Sequence, residues 1–300
     1  MRSLFIIQQF SFLEWKLMRI VFSLFWISII KRTIFEYESI PVPRGWAELI
    51  DLSFLDHPAS KWVIMIVAVI CVYYYIKHTY MIRATGVMFL IGLLVFTYQD
   101  SQALDIYNEI INLVVLGQLI AYTYSGMRNS VVAQSDHMDR SRVKNLAIHN
   151  SKQGIIACYL IAGLSKLMDA GWSWVSDAPN LSVAMYKMYM QNYVGTLQPE
   201  LKTTAMENSL FITGHPQLIQ YVFALIIFME LFGLLAFISR GTSLIIGLFF
   251  IGFHLATNIT TGIEFNHFIV LQLIFFVNIG FVLIKLRDLL AVRIASKMPN

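Results

Sequence analysis

Tyr159-Leu-Ile-Ala-Gly-Leu-Ser-Lys166-Leu-Met-Asp-Ala-Gly-Trp172-Ser-Trp174 reads as an apolar helix with one lysine near its end, closed by a glycine and two tryptophans. A charged side chain costs about 2.5–3.5 kcal/mol at the centre of a membrane helix on insertion scales, and less near an end. Outside this stretch the chain has the same character. Its 300 residues are 57% hydrophobic and 13% charged, where a soluble globule carries about 25% charged residues. The sequence therefore predicts an all-α, polytopic membrane helical bundle folded as a single integral-membrane domain over residues 1–300.

The bulk chemistry narrows the function classes. A net charge of +4 spread over loops suits cytoplasmic loop charge and gives no nucleic-acid surface. Cys71 and Cys158 are the two cysteines and both fall in predicted spans, so neither a disulfide framework nor a thiolate metal site is expected. Gln8, Gln9, Glu14 and Lys16 interrupt any cleavable-signal pattern, so the first span is expected to stay attached as its own targeting signal.

Eight spans are predicted, at 17–34, 62–76, 84–98, 109–125, 152–168, 218–238, 242–260 and 268–284. Lys16 and Arg19 precede or open the first, and Lys77 and Arg83 bracket the second turn. Arg128, Arg140, Arg142, Lys144 and Lys152 fill the fourth connection, Arg240 the sixth, and Lys285, Arg287, Arg293 and Lys297 the tail. The other connections carry mostly acids, so the positive-inside rule places both termini in the cytoplasm. The connection after the first span is mixed in charge, and Pro41, Pro43 and Pro58 keep it from being one helix. In the long outer segment 181–217, Met185, Tyr186, Met188, Tyr189, Met190 and Tyr193 recur at near-helical spacing. Two readings are open there: an interfacial helix that covers a cavity as a lid, or a loop floating on the outer leaflet.

Polar residues inside the spans are the candidate site. Lys166 has two readings, a snorkelling cation at the headgroups or a buried amine that serves as base or nucleophile. Glu230, in Phe-Met-Glu-Leu-Phe-Gly, is expected to face the bundle, as a protonated structural hydrogen bond or as the partner of a cation. His254 and Asn258 are four apart and share one face of the seventh span. Glu264 and His267 lie in the turn that follows, and Asp105, Asn108 and Glu109 crowd the start of the fourth span. No pair has the HExxH form, no glycine-rich phosphate loop is present, and no metal is expected. There is no internal repeat, and neither repeats nor broken helices favour a transporter.

Taken together these residues resemble the HTTM domain, the membrane half of vitamin K-dependent gamma-glutamyl carboxylase. The likeness runs from Gln153 to Phe276. Ala162-Gly163-Leu-Ser-Lys166-Leu with Trp172 is similar to the family's Ala-Gly-x-x-Lys-Leu…Trp. Met229-Glu230-Leu through Ser239-Arg240, then Gly247-Leu-Phe-Phe, Phe253-His254, and Asn258…Gly262-Ile263-x-Phe265 are similar to the helices that follow. The resemblance implies that Lys166 is the base that deprotonates a quinol cofactor of the vitamin K type, with Glu230 and His254 as pocket or structural residues. Three departures stand against it. Ser165-Lys166 replaces paired lysines, Ser101-Gln-Ala-Leu-Asp105-Ile-Tyr-Asn108 lacks the family's histidine, and the sequence holds no large extramembrane substrate-binding domain. The resemblance therefore points to the stand-alone bacterial type, similar to the membrane component that matures an exported peptide toxin with a partner in the sporulation-delaying system.

The resulting expectation is a bacterial inner-membrane protein that carries out quinol-linked, base-catalysed modification or maturation of an exported peptide or membrane substrate, beside an accessory protein. Its rivals are a non-catalytic membrane scaffold or partner subunit and a small-solute transporter in which Glu230 carries protons.

Overall fold

The computed structural model describes residues 7–36, 48–101, 108–131, 136–261, 264–284 and 286–287, and these form helices with no strand among them. Asp105, Pro41 and Pro43, and Gly262 and Ile263 of the quoted motif lie outside the described residues. The long elements are α1 (Phe12–Glu36), α2 (Pro58–Lys77), α3 (Met81–Ser101), α4 (Glu109–Val131) and α5 (Asp136–Asp169). After the short α6 (Ser173–Ser176) come α7 (Leu181–Thr196), α8 (Pro199–Gly214), α9 (Pro216–Leu231), α10 (Arg240–Thr261) and α11 (Asn266–Gln272).

Among the described residues, four helices are long and apolar enough to cross a membrane: α2, Met81–Gln99 of α3, Glu109–Met127 of α4 and Arg240–Thr260 of α10. A fifth is gained if α8 and α9, bent by 85° at Gly214-His215-Pro216, count as one span. These helices fit an integral, multi-pass membrane protein. By composition alone α1 and α5 do not join them. Glu14, Lys16, Arg19, Lys31, Arg32 and Glu36 punctuate α1, and the first half of α5 is polar.

Nonetheless α1 lies in the middle of the core. Trp15, Phe22, Trp26 and Ile30 recur at helical spacing and are 0–2% exposed. The Phe22 ring meets Phe275 at 5.6 Å and Tyr75 at 6.4 Å, which ties α1 to α2 and to the last helical segment. α2 begins at Pro58, where the His57 ring accepts from the Ala59 amide at 3.2 Å, and ends at His78 in the left-handed region (φ 59°).

Three expectations need correction. The predicted sixth span, 218–238, is not one helix: α9 stops at Leu231 and a 3-10 turn, Gly233–Phe237, follows. The predicted eighth, 268–284, is broken. α11 gives way to a π turn, Leu273–Val277, and Asn278 then takes a left-handed conformation (φ 55°). A broken helix is therefore present where the sequence reads as a seamless apolar run. Finally, the basic fourth connection is largely the first half of α5, and Lys152 is no loop residue, being 3% exposed. Its Nζ donates to Gln8 Oε1 (2.9 Å) and Ser243 Oγ (2.8 Å), and it faces the Phe10 and Phe276 rings.

The break in the last helix is held from α10. Ser243 Oγ donates to the Phe276 carbonyl at 3.3 Å, and a Cβ on Gly247 would stand 2.6 Å from Phe276 Cβ. Asn278 Nδ2 donates to Glu14 Oε1 at 3.0 Å, and Arg240 pairs with the same carboxylate at 3.0 Å. Burial pushes the Glu14 carboxyl up, but the Ser11 amide and hydroxyl and the Arg240 guanidinium together hold it below its ordinary value.

Gly247→Ala is expected to destabilise the protein by about 1–3 kcal/mol, because neither backbone nor a Cβ can retreat without a shift. Gly252→Ala on the same helix, where an added Cβ meets nothing within 4 Å, is expected to be neutral or slightly stabilising. Thermal unfolding of the two variants in one detergent checks the contrast.

Candidate functional site

Gly163 decides how α5 meets α9. An added Cβ there would lie 3.0 Å from Glu230 Cβ and 3.3 Å from Leu231 Cδ2, so the glycine lets the two backbones approach. One turn further along, Lys166 leaves the last turn of α5 and its Nζ reaches Glu230 Oε1 at 2.5 Å. The exposures of the two side chains differ sharply, 24% for the lysine against 2% for the glutamate. Glu230 Oε2 is sealed and has no hydrogen-bond partner. The Lys166 ammonium also stands 4.8 Å over the Trp174 ring, which itself packs on Phe223 at 4.6 Å.

Lys166 and Trp174 form part of the wall of a cavity of about 520 Å³. α9 and α10 supply its apolar sides, including Phe223, Ile226 and Phe253, and Leu181, Met185, Phe211 and Ile212 come from α7 and α8. The two 16-residue helices α7 and α8 pack against each other as a hairpin over the site, so the segment read as either an interfacial helix or a floating loop holds two helices. Tyr189 Oη fastens the hairpin to the Ile259 carbonyl on α10 at 3.1 Å. Asn208, Thr257 and Thr260 are the few other polar side chains in the lining.

A second polar group lies behind this wall. Gln272 Nε2 donates to Tyr159 Oη at 3.2 Å, and the phenol shares a 2.6 Å hydrogen bond with His254 Nε2. His254 Nδ1 is buried without a hydrogen-bond partner. Phe250 stacks on Tyr159 with centroids 3.7 Å apart, and Phe253, Phe265 and Phe268 surround the imidazole at 5.0–5.1 Å.

Of the residues singled out in the sequence, Lys166 and Glu230 are therefore in contact, and His254 sits behind the cavity wall at Phe253 and Phe265. Asn258 is half-buried and does not line the cavity. Glu264 is exposed and accepts from Asn266 Nδ2 at 2.8 Å, away from the ion pair. Asn108 is buried and donates to Gln99 Oε1 at 2.9 Å. Tyr159, Gln272, Trp174 and Asn208 were not singled out as site residues. Tyr159 could have been: it precedes Lys166 by seven residues, two helical turns on the same face. Among the described residues no group of three or more His, Cys, Asp or Glu could hold a metal ion. No protein-family model matches this chain, nor does any curated protein or solved structure.

The unequal burial of the pair predicts unequal substitutions. Lys166→Met leaves a sealed carboxylate without its cation and is expected to cost about 3–5 kcal/mol. Glu230→Leu leaves a lysine that reaches solvent, and is expected to cost less than half as much. Denaturant or thermal unfolding of both variants and of the double variant measures the difference, with the double close to Glu230→Leu alone.

Proposed function

We propose that this chain is a membrane-embedded enzyme of the HTTM type, crossing a bacterial inner membrane eight times with both termini cytoplasmic. In this reading Lys166 is the reactive base in a quinol-linked, carboxylase-like modification or maturation of an exported peptide or membrane-embedded substrate at the outer face, assisted by an accessory protein. The observation that carries it is the Lys166–Glu230 pair at the wall of a large apolar cavity.

Several features support the reading. The Ala162-Gly163-Leu-Ser-Lys166 motif has a physical purpose, since Gly163 brings the lysine to its carboxylate. A volume of about 520 Å³ falls within the range of about 300–1,000 Å³ usual for small-molecule pockets. The apolar lining with one cation fits a flat, lipid-soluble ring that presents a hydroxyl to Lys166. The 85° bend between α8 and α9 lays α8 across the direction of α9, as a lid over a membrane-embedded site requires. For α1 and α5, the burial of their polar faces against neighbouring helices supports counting them as spans.

The chemistry follows from the pair. An ammonium 2.5 Å from a carboxylate is an ion pair, and the amine becomes a base when it hands its proton to Glu230. Lys166 Nζ then takes the proton of a hydroxyl facing it, which leaves an anion beside a Lys166 ammonium and a neutral Glu230 carboxyl. A quinol held there would supply the acidic hydroxyl. Trp174, Phe253 and the α7–α8 hairpin line the cavity beside the ammonium and reduce its contact with water, which strengthens its hold on that anion.

Two measurements test this. Purified protein is expected to retain a quinone, detected by mass spectrometry of the extract, and Ile226→Trp, which fills the cavity, is expected to remove it. Lys166→Arg, which keeps a cation beside Glu230, is expected to keep the fold and abolish maturation of a co-produced exported peptide; Lys166→Ala is expected to abolish it too, at the stability cost of an unpaired Glu230. A wild-type protein free of quinone, or full maturation by the Lys166 variants, refutes the reading.

The break at Asn278 favours a second reading, a small-solute transporter with Glu230 as proton carrier, because interrupted helices mark transport sites. It requires substrate-stimulated proton flux in liposomes that disappears in Glu230→Gln. Flux unchanged in that variant excludes it.

A further inference from the structure

Far from the lysine–glutamate pair, α1 buries a second cation. Arg19 is 6% exposed, and its guanidinium lies 5.7 Å over the Trp15 ring. It is close enough to the Tyr75 and Tyr122 phenols to interact electrostatically with both, yet among the described residues no carboxylate pairs with it. Arg19 Nε, Trp15 Nε1 and Tyr122 Oη are all sealed and all lack a hydrogen-bond partner. Trp15 and Tyr122 are 2% and 4% exposed. The Tyr75 hydroxyl donates to Gln118 Oε1 at 2.5 Å and makes no hydrogen bond to any of the three. His78, the left-handed residue that ends α2, meets Trp15 and Tyr122 edge-on at 6.4 and 6.3 Å and completes the enclosure.

These are two N–H donors and a phenol around one uncompensated positive charge, and among the described residues no anion pairs with it. A buried cation is ordinarily paired, and buried donors are ordinarily satisfied. One group that is both negative and rich in acceptor oxygens answers all four demands together. We propose that Arg19, Trp15 and Tyr122 form a binding site for a phosphate oxyanion, carried on the headgroup of an anionic phospholipid or free in solution.

The surroundings suit that ligand. Lys16, Lys77 and Arg83 are exposed near the same ends of α1, α2 and α3, and Lys77 and Arg83 stand over the Tyr73 and Tyr80 rings at 5.9 and 5.8 Å. Such a basic, aromatic rim draws anionic headgroups. A guanidinium matches phosphate oxygens in a two-pronged geometry that an ammonium cannot offer. The site is independent of the Lys166 chemistry and stands whether or not that reading holds.

The test uses the full chain in two arms. In nanodiscs containing equal phosphatidylglycerol and phosphatidylcholine, native mass spectrometry reads which lipid stays bound. In zwitterionic detergent, thermal unfolding is followed as sodium phosphate is added against a chloride control of equal ionic strength. Wild type is expected to retain phosphatidylglycerol selectively or to be stabilised by phosphate. The first result assigns a lipid headgroup and the second a free anion. Tyr122→Phe keeps the ring and loses one donor, and is expected to weaken binding roughly tenfold. Arg19→Met is expected to abolish binding and to raise the unfolding temperature of the anion-free protein, because it removes an uncompensated charge. Wild type that shows neither preference nor stabilisation, or a Tyr122→Phe variant that binds as wild type does, overturns the proposal; the Tyr122 variant decides the matter even if Arg19→Met does not fold.

Discussion

The contact between α5 and α9 at Gly163 is the constraint on which the candidate site depends. Without a side chain at that position the helices close until Glu230 Cβ lies 3.0 Å from where a Cβ would stand. Glu230 is then too deeply placed to find water, and its carboxylate takes the cation that α5 presents one turn later. The same approach fixes the floor from which the cavity opens between α9 and α10 and beneath α7 and α8. Ion pairs this enclosed add little net stability compared with apolar residues of equal volume.

Among the described residues, Lys166, Lys152 and Arg19 meet the cost of burial differently. Lys166 has a carboxylate. Lys152 has two neutral oxygens, from Gln8 and Ser243, and two aromatic faces. Arg19 has the Trp15 face and unsatisfied donors. In the series the protein supplies progressively less of the compensation itself. The first two arrangements are closed in structural terms, and the third is chemically incomplete, so an anion is called for at Arg19 and not at Lys152.

Much of the bundle could be read from composition and periodicity, because intramembrane backbone has few alternatives to the helix. Lys166, Glu230 and His254 stood out singly, as polar residues in apolar runs. Their partners did not. Lys166 and Glu230 are 64 residues apart in sequence, and which faces of α5 and α9 meet is set by Gly163 and its neighbours, a property of two helices at once. Tyr159 was hidden because a tyrosine in an apolar helix reads as packing. The interruption at Leu273–Val277 falls within five apolar residues, with Asn278 and Gly280 just beyond it as the local hint, and it is held by Ser243 and the bare surface of Gly247 on another helix. Lys152 looked like loop charge for the same reason: its shelter comes from the N-terminal segment and α10, neither of which is local to it.

The cavity and its cover have consequences for the chemistry that Lys166 can perform. The hairpin of α7 and α8 presents Leu181, Met185, Phe211 and Ile212 inward, so little of the roof competes with the ammonium for a ligand's polar end. A lipid-soluble molecule entering there is oriented by exclusion: its apolar part fills the space and its one polar group is driven toward Lys166. The roof is fastened by sparse polar contacts, such as Tyr189 to the Ile259 carbonyl, and it joins α9 through a sharp bend at Gly214-His215-Pro216. Glu230 and Lys166 are anchored on α9 and α5 and not on the hairpin, so the cover of the cavity and the ion pair at its wall belong to different elements of the fold.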